Sequence, residues 1–286
     1  MSDDLQQRAN TLIEALPYLR EYWGATMVIK YGGAAMVEPE LKALVLQDVV
    51  LLRYVGMYPV LVHGGGPEIS EMMRRLGKEP AFVRGLRVTD EETMAIAEMV
   101  LVGRINQDLV AAVNAAGGKG VGLSGKHGCM LRVVKQQGDV DLGLVGDIRE
   151  VDPTLIRTVS AQGYVPLIAP IGVGDDGRTY NINADHAAGK IAGALQATKL
   201  IVLSDVPGIL ADAKDETTLV SSVSAEQARL MIAGGQVEAG MIPKVEACLD
   251  ALAHGVPRCH IIDGRAPHAL LMEIFTDVGS GTMVLP

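Results

Sequence analysis

The sequence predicts an α/β protein: a three-layer sandwich whose central, mainly parallel sheet is covered by helices on both faces. Three observations predict it. Short aliphatic runs, MVIKY (27–31), PVLVH (59–63), YVPLIA (164–169) and KLIVLSD (199–205), alternate with segments of helical periodicity. Those runs are continuously apolar rather than alternating, as expected of strands buried on both faces. The 286 residues include 33 Gly but only 2 Phe and 1 Trp, so the core is built from Val, Ile, Leu, Ala and Met, with glycine turns between elements.

Residues 4–22 place Leu5, Ala9, Leu12, Ile13, Leu16 and Leu19 at helical spacing, and Pro17 kinks or ends that helix. MVIKY is the first strand and residues 40–55 a helix. PVLVH is the second strand, and Gly64-Gly65-Gly66 turns into a helix from about 67 to 76. GLRVTD (85–90) is extended; Thr89 with Glu92 reads as a capping box opening a long helix to about residue 115. Residues 120–150 read as short strands and turns. YVPLIA is a strand, 183–196 a helix and KLIVLSD a strand. Helices follow near 224–233 and 241–253, and HIIDG (260–264) and TMVL (282–285) close the chain as strands. Neither a repeat nor a low-complexity linker is visible; the expected boundary lies near residue 197, where a second strand-first unit begins.

A net charge of −9 argues against nucleic acid or an anionic membrane as partner. An anionic ligand would be held by local lysines, arginines and backbone amides against that global field. Cys129, Cys248 and Cys259 form no CxxC pair and are expected to be buried structural thiols in a reducing compartment. The opening MSDDLQQ is acidic and polar, unlike a signal peptide. The most apolar region, 41–63, is interrupted by Gln47, Asp48 and Arg53, so no membrane span is expected and the compartment is read as cytoplasmic. The six histidines show no HxH or HExxH spacing, and no metal site is expected.

In such sheets ligands sit beyond the carboxyl ends of the strands. Lys30-Tyr31-Gly32-Gly33, His63-Gly64-Gly65-Gly66 and Ser204-Asp205 with Pro207-Gly208 all fall there. HGGG exposes amides at a helix N-terminus, an anion cradle; the hydrolase reading of the same motif fails because no serine sits in GxSxG. GKGVGLSGKH (118–127) spells both a near P-loop and GxGxxG, but a helix precedes it and the strand-like MLRVV follows, the reverse of what either motif needs. It reads as a glycine-rich strand connection. Asn181, Asn183 and Asp185 open a helix; a cap explains one of them and leaves the others for a ligand. Lys244, behind Pro243 in a first helical turn, is placed against the macrodipole, which favours acids there.

The ordered set IKYGG, VHGGGPEI, GLRVTD, NINADHAAGKIAGAL, LSDVPGIL and GMIPK resembles the amino-acid kinase family from about residue 25 to the end of the chain. GLRVTD sets the chain apart from members acting on carbamate, aspartate, glutamate or uridylate. The resemblance implies the amino-acid kinase fold and phosphoryl transfer from ATP, with Mg2+ arriving on the nucleotide and no permanently bound cofactor. The implied acceptor is the side-chain carboxylate of N-acetyl-L-glutamate, a step of arginine biosynthesis. It implies an N-acetylglutamate lobe at 25–196 and a nucleotide lobe at 197–286. Lys30 and Lys244 would stabilise the transferring phosphoryl and Asp185 orient them. Gly65, Gly66, Arg87, Asn181 and Asn183 would hold the substrate. Gly32 and Gly33 would offer amides to the phosphate, with Ser204, Asp205, Gly208 and Leu210 bordering the nucleotide. The N-terminal helix (1–24) resembles that of the arginine-inhibited, hexameric subgroup, a trimer of dimers; there Tyr22, His260, Glu273 and Gly279 would line a site for L-arginine. A kinase of the same family with another carboxylate or carbamate acceptor, and a non-catalytic amino-acid sensor, remain as alternatives.

Overall fold

The computed structural model describes residues 2–212, 215–277 and 279–286. Met1, in the N-terminal segment, lies outside the described residues. Helices α1 (Ser2–Glu14) and α2 (Leu16–Glu21) come first. The break between them falls at Ala15, with Pro17 in the first turn of α2, where its missing N–H costs no hydrogen bond. Then come β1 (Thr26–Tyr31), α3 (Ala34–Val37), α4 (Pro39–Tyr54), β2 (Tyr58–His63), α5 (Gly66–Arg75), β3 (Phe82–Val83) and β4 (Leu86–Arg87). A long helical run follows as α6 (Glu91–Glu98), a π-helical segment (Met99–Ile105) and α7 (Asn106–Ala115). The middle of the chain holds β5 (Gly120–Ser124), β6 (Leu131–Lys135), β7 (Gly146–Val151), α8 (Thr154–Ala161), β8 (Val165–Ala169), β9 (Ile171–Gly174) and β10 (Thr179–Asn181). The remainder is α9 (Ala184–Leu195), β11 (Lys199–Ser204), β12 (Ser222–Ser224), α10 (Ala225–Ala233), α11 (Ile242–Ala253), β13 (Cys259–Asp263), α12 (Ala269–Phe275) and β14 (Gly281–Leu285).

Eight strands form one sheet in the order β12-β14-β13-β11-β1-β2-β8-β5, and every pair but β13–β14 is parallel. The aliphatic runs make it so. Val, Ile and Leu fit a pleated surface, and β1, β2, β8 and β11 are buried almost end to end because helices cover both faces. Helices α9 and α11 pack together on one side; α4 packs with α7 and α12 on the other. The sheet is continuous across residue 197, since β1 pairs with both β2 and β11. No helix among the described residues is long and apolar enough to cross a membrane.

The structure corrects several sequence expectations. A second sheet, β10-β9-β6-β7, is mainly antiparallel, and α8 and α12 were not foreseen. The long helix is capped by Asp90, whose carboxylate accepts from the Thr93 N–H at 2.8 Å. Thr89 is unavailable for that role because its hydroxyl donates to the Arg87 carbonyl. Glu92 instead pairs with Lys78. Cys129 is exposed; only Cys248 and Cys259 are buried thiols.

Candidate active site

Because β1, β2, β8 and β11 are parallel, their carboxyl ends meet at one edge of the sheet. Lys30 lies beside Val202 and Val62 in register, and Tyr31 beside His63. Lys30 is 7% exposed, and its ammonium is 3.2 Å from Asp185 Oδ1. Asp185 stands in the first turn of α9, which packs on β1. The N-cap of α9 is Asn183, whose side-chain oxygen accepts from the N–H groups of Asp185 (2.8 Å) and His186 (3.2 Å). The cap therefore fixes the start of the helix and, with it, the Asp185 carboxylate.

Lys244 reaches the same place from α11. It lies half-buried in the first turn behind Pro243, and its ammonium donates to the Gly240 carbonyl at 3.2 Å. Burial lowers its pKa; Asp185 and Asp205 oppose the shift and the Lys30 charge adds to it. Two ammonium groups and two carboxylates thus share one electrostatic neighbourhood at the mouth of the sheet. The α9–α11 contact that brings them together is close, since a Cβ on Gly189 would lie 2.6 Å from the Ala247 carbonyl oxygen.

Glycine is required beside these charges. Gly33 has φ +68°, and a Cβ there would lie 2.1 Å from Asp205 Oδ1. We expect Gly33→Ala to cost about 1–2 kcal/mol in urea denaturation from the left-handed backbone alone, before any displacement of Asp205. An unchanged midpoint and slope would contradict this.

A cavity of about 200 Å³ opens next to this cluster, lined by Gly64, Gly65, Gly66, Arg87, Asn181 and Asp185 among others. Arg87 is 6% exposed; Nη2 donates to the Gly66 carbonyl (2.7 Å) and to Ser70 Oγ (2.8 Å), and the guanidinium lies 4.7 Å from the Phe82 ring centre. Burial lowers its pKa, but a guanidinium starts so high that it stays charged. Apolar lining from Ile69, Phe82, Leu86 and Leu101 together with one fixed cation suits a small acid.

On the other side of the cluster, Gly208 and Leu210 line a shallow pocket with Val206 and Met241. Ser204 ends β11, and its carbonyl accepts from the Gly264 N–H at 2.8 Å. Tyr22, His260, Glu273 and Gly279 all line a separate cavity of about 230 Å³ between α2 and the C-terminal segment. There His260 Nδ1 lies 2.5 Å from Glu273 Oε1, and the Ser280 N–H donates to Oε2 at 3.0 Å. Burial pushes the Glu273 carboxyl up, but His260, the Ser280 N–H and the Lys199 charge together outweigh it and hold the group below its ordinary value. Lys199 and Arg258, which sequence reasoning did not single out, line this cavity too. Near the active site it also missed Asn106, which carries no motif spacing of its own, and with it the contact to His63 of the HGGG turn.

Lysines and carboxylates gathered at the strand ends of an α/β sheet suit an enzyme that handles anionic groups, and the sequence profile described as "Amino acid kinase family" matches residues 25–263. The chain belongs to that family. Within it the chain is similar to the proteins named acetylglutamate kinase: it is 54% identical to that of Pelotomaculum thermopropionicum, covering 97% of this chain and 98% of the relative. It is likewise 54% identical to that of Moorella thermoacetica, covering 98% of each. Among solved structures, the N-acetylglutamate synthase of Neisseria gonorrhoeae complexed with coenzyme A and N-acetyl-glutamate superposes with a TM-score of 0.85 at 28% identity. The alignment covers 97% of this chain and 63% of the synthase chain. The same synthase complexed with coenzyme A and L-arginine gives 0.81 at 26% identity, covering 97% and 65%. Giardia carbamate kinase, at 16% identity and a TM-score of 0.66 over 92% of this chain and 99% of that one, shares the fold.

Proposed function

We propose that the chain transfers the γ-phosphoryl of ATP to the side-chain carboxylate of N-acetyl-L-glutamate, giving the acyl phosphate used in arginine biosynthesis. The observation that carries this reading is the convergence of Lys30, Lys244 and Asp185 beside a cavity that also holds Arg87. The nucleophile is already ionised at neutral pH, because a Glu-type carboxyl has a pKa of about 4.3. No general base is needed. The obstacle is charge: two like unit charges about 4 Å apart repel by about 4 kcal/mol in a partly screened site. Lys30 and Lys244 offset this at the travelling phosphoryl, and Asp185 holds both ammoniums in place. Gly32 and Gly33 bring bare backbone to the phosphates, next to Asp205. Gly65, Gly66, Asn181 and Asn183 hold the acetylated acid, and Arg87 takes its other carboxylate. Ser204, Asp205, Gly208 and Leu210 border the nucleotide, and Mg2+ would arrive with ATP and offset the charge of its phosphates. Residues 25–196 form the substrate lobe and 197–286 the nucleotide lobe, in a cytoplasmic enzyme. The test is ATP consumption with N-acetyl-L-glutamate against a panel of other acids and carbamate; equal or greater turnover of another acceptor overturns the substrate assignment.

The cavity at α2 supports inhibition by L-arginine. Glu273, kept ionised, faces it together with Tyr22, His260 and Gly279, and offers a guanidinium a buried carboxylate. Leu5, Leu12 and Ile13 leave α1 with exposed apolar side chains, which supports pairing of N-terminal helices between dimers in a hexamer. Deleting residues 1–20 is expected to leave a smaller particle by light scattering, with little arginine inhibition. Persistent hexamers would remove this part of the proposal.

A further inference from the structure

We infer that His63 and Asn106 form a hydrogen-bonded clamp that sets the aim of the Gly64–Gly66 turn toward the substrate, so that both are positioning residues for the acetylated acid. This rests on the reading of the site given above. His63 is the last residue of β2 and is 0% exposed; Asn106, the first of α7, is 1% exposed. Neither belongs to the charged cluster. A polar pair this deeply buried costs free energy unless every hydrogen-bonding atom in it is matched.

The partners fix the protons. Asn106 Nδ2 lies 2.8 Å from the Leu167 carbonyl, which only accepts, so that atom is the amide NH2 and not its oxygen. The same Nδ2 is 3.0 Å from His63 Nε2, which must therefore present its lone pair. His63 Nδ1 lies 2.8 Å from the Gly64 carbonyl and must donate to it. The ring is neutral, with the proton on Nδ1. A second proton on Nε2 would face the Asn106 amide donor to donor, and burial independently lowers the His63 pKa to about 4.

Gly64 is held at its other end as well, since its N–H donates to the Tyr31 carbonyl at 2.8 Å, one residue from Lys30. Under the turn, the π-helical segment supplies a floor: a Cβ on Gly65 would lie 2.5 Å from Ile105 Cδ1 and 2.7 Å from Leu101 Cδ2. Asn106 follows that segment directly, and π-helical turns are often found at functional sites. The Asn106 side chain fits only because Gly122 has none, as a Cβ there would lie 2.0 Å from Asn106 Oδ1. Here the glycines of the P-loop-like stretch find a use without binding any phosphate. The chain of contacts runs from β8 through Asn106 and His63 to Gly64 and on to the strand that carries Lys30. Moving the turn by about 1 Å misaligns substrate and phosphoryl, a displacement of a kind that costs about 10²-fold.

The test compares Asn106→Asp, His63→Phe and the double variant in ATP-dependent turnover of N-acetyl-L-glutamate. Asn106→Asp keeps the shape but sets acceptors against Leu167 O and His63 Nε2. Each single variant is expected to raise KM for the acid and lower kcat/KM by about 10- to 10²-fold, with KM for ATP changed less than about twofold. The double variant is expected to lose no more than the worse single, since the two act as a unit. Folded variants with a native KM for the acid, or losses that multiply, would overturn the clamp. If His63→Phe does not fold, the KM split in Asn106→Asp decides alone. Native enzyme inactive on N-acetyl-L-glutamate would refute the substrate assignment instead. Independently of any substrate, ring nitrogen shifts of 15N-histidine-labelled native protein must show the Nδ1–H form for His63 at neutral pH; the Nε2–H form rejects the clamp.

Discussion

Lys30→Ala lowers kcat by about 10²-fold or more, some 2.7–4 kcal/mol of transition-state stabilisation, while the protein remains folded. The reason is where charge develops. The phosphoryl oxygens carry their charge between donor and acceptor, and a preorganised ammonium there acts without reorganisation cost. Lys30 is preorganised on three counts: it sits on a central strand, it is nearly buried, and Asp185 fixes its end at 3.2 Å. Truncation does not orphan the Asp185 carboxylate, because Lys244 lies within its field. The fold should therefore survive where a lone buried ion pair would not. Steady-state turnover and thermal unfolding of the same preparation check both halves. A near-native kcat removes Lys30 from its assigned role, and with it the explanation of why a cation ends this strand.

Arg87→Ala is expected to raise KM for N-acetyl-L-glutamate by about 10²-fold, with a smaller effect on kcat and almost none on KM for ATP. The guanidinium is already oriented before substrate arrives, by Gly66, Ser70 and the face of Phe82, so binding pays little ordering entropy. Arg87→Lys should recover only part of the loss, since a point charge cannot reproduce the planar fork. Substrate titrations at fixed ATP would decide; an unchanged KM contradicts the carboxylate grip.

Much of the fold is legible in the sequence for one physical reason. A strand buried on both faces has to be continuously apolar, and MVIKY, PVLVH and KLIVLSD announce themselves as such. The second sheet does not, because β6 alternates buried and exposed positions, β7 is mostly solvent-facing, and the two carry Arg132, Lys135, Arg149 and Glu150. Helix α12 was invisible because its N-cap is His268 in the left-handed region (φ +56°), which no capping rule suggests. The π-helical segment keeps the apolar density of an ordinary helix, so MVLVGRI gives no warning of it. For the site, spacing and glycine content located the loops, but which lysines face one another depended on resemblance. Lys244 sits far along the chain from Lys30, and only the packing of α11 on α9 joins them. His63 was visible only as the first residue of HGGG and Asn106 not at all, since nothing in the sequence links that histidine to an asparagine 43 residues on until the fold puts them 3.0 Å apart.

The ladder from Met27↔Lys199 to Lys30↔Val202 has a mechanical consequence. It stitches the two proposed lobes through backbone bonds buried from both sides, so any motion of one lobe against the other has to bend or twist a shared sheet. Mobility at the strand ends is then carried by one continuous eight-stranded surface rather than by a linker between two bodies.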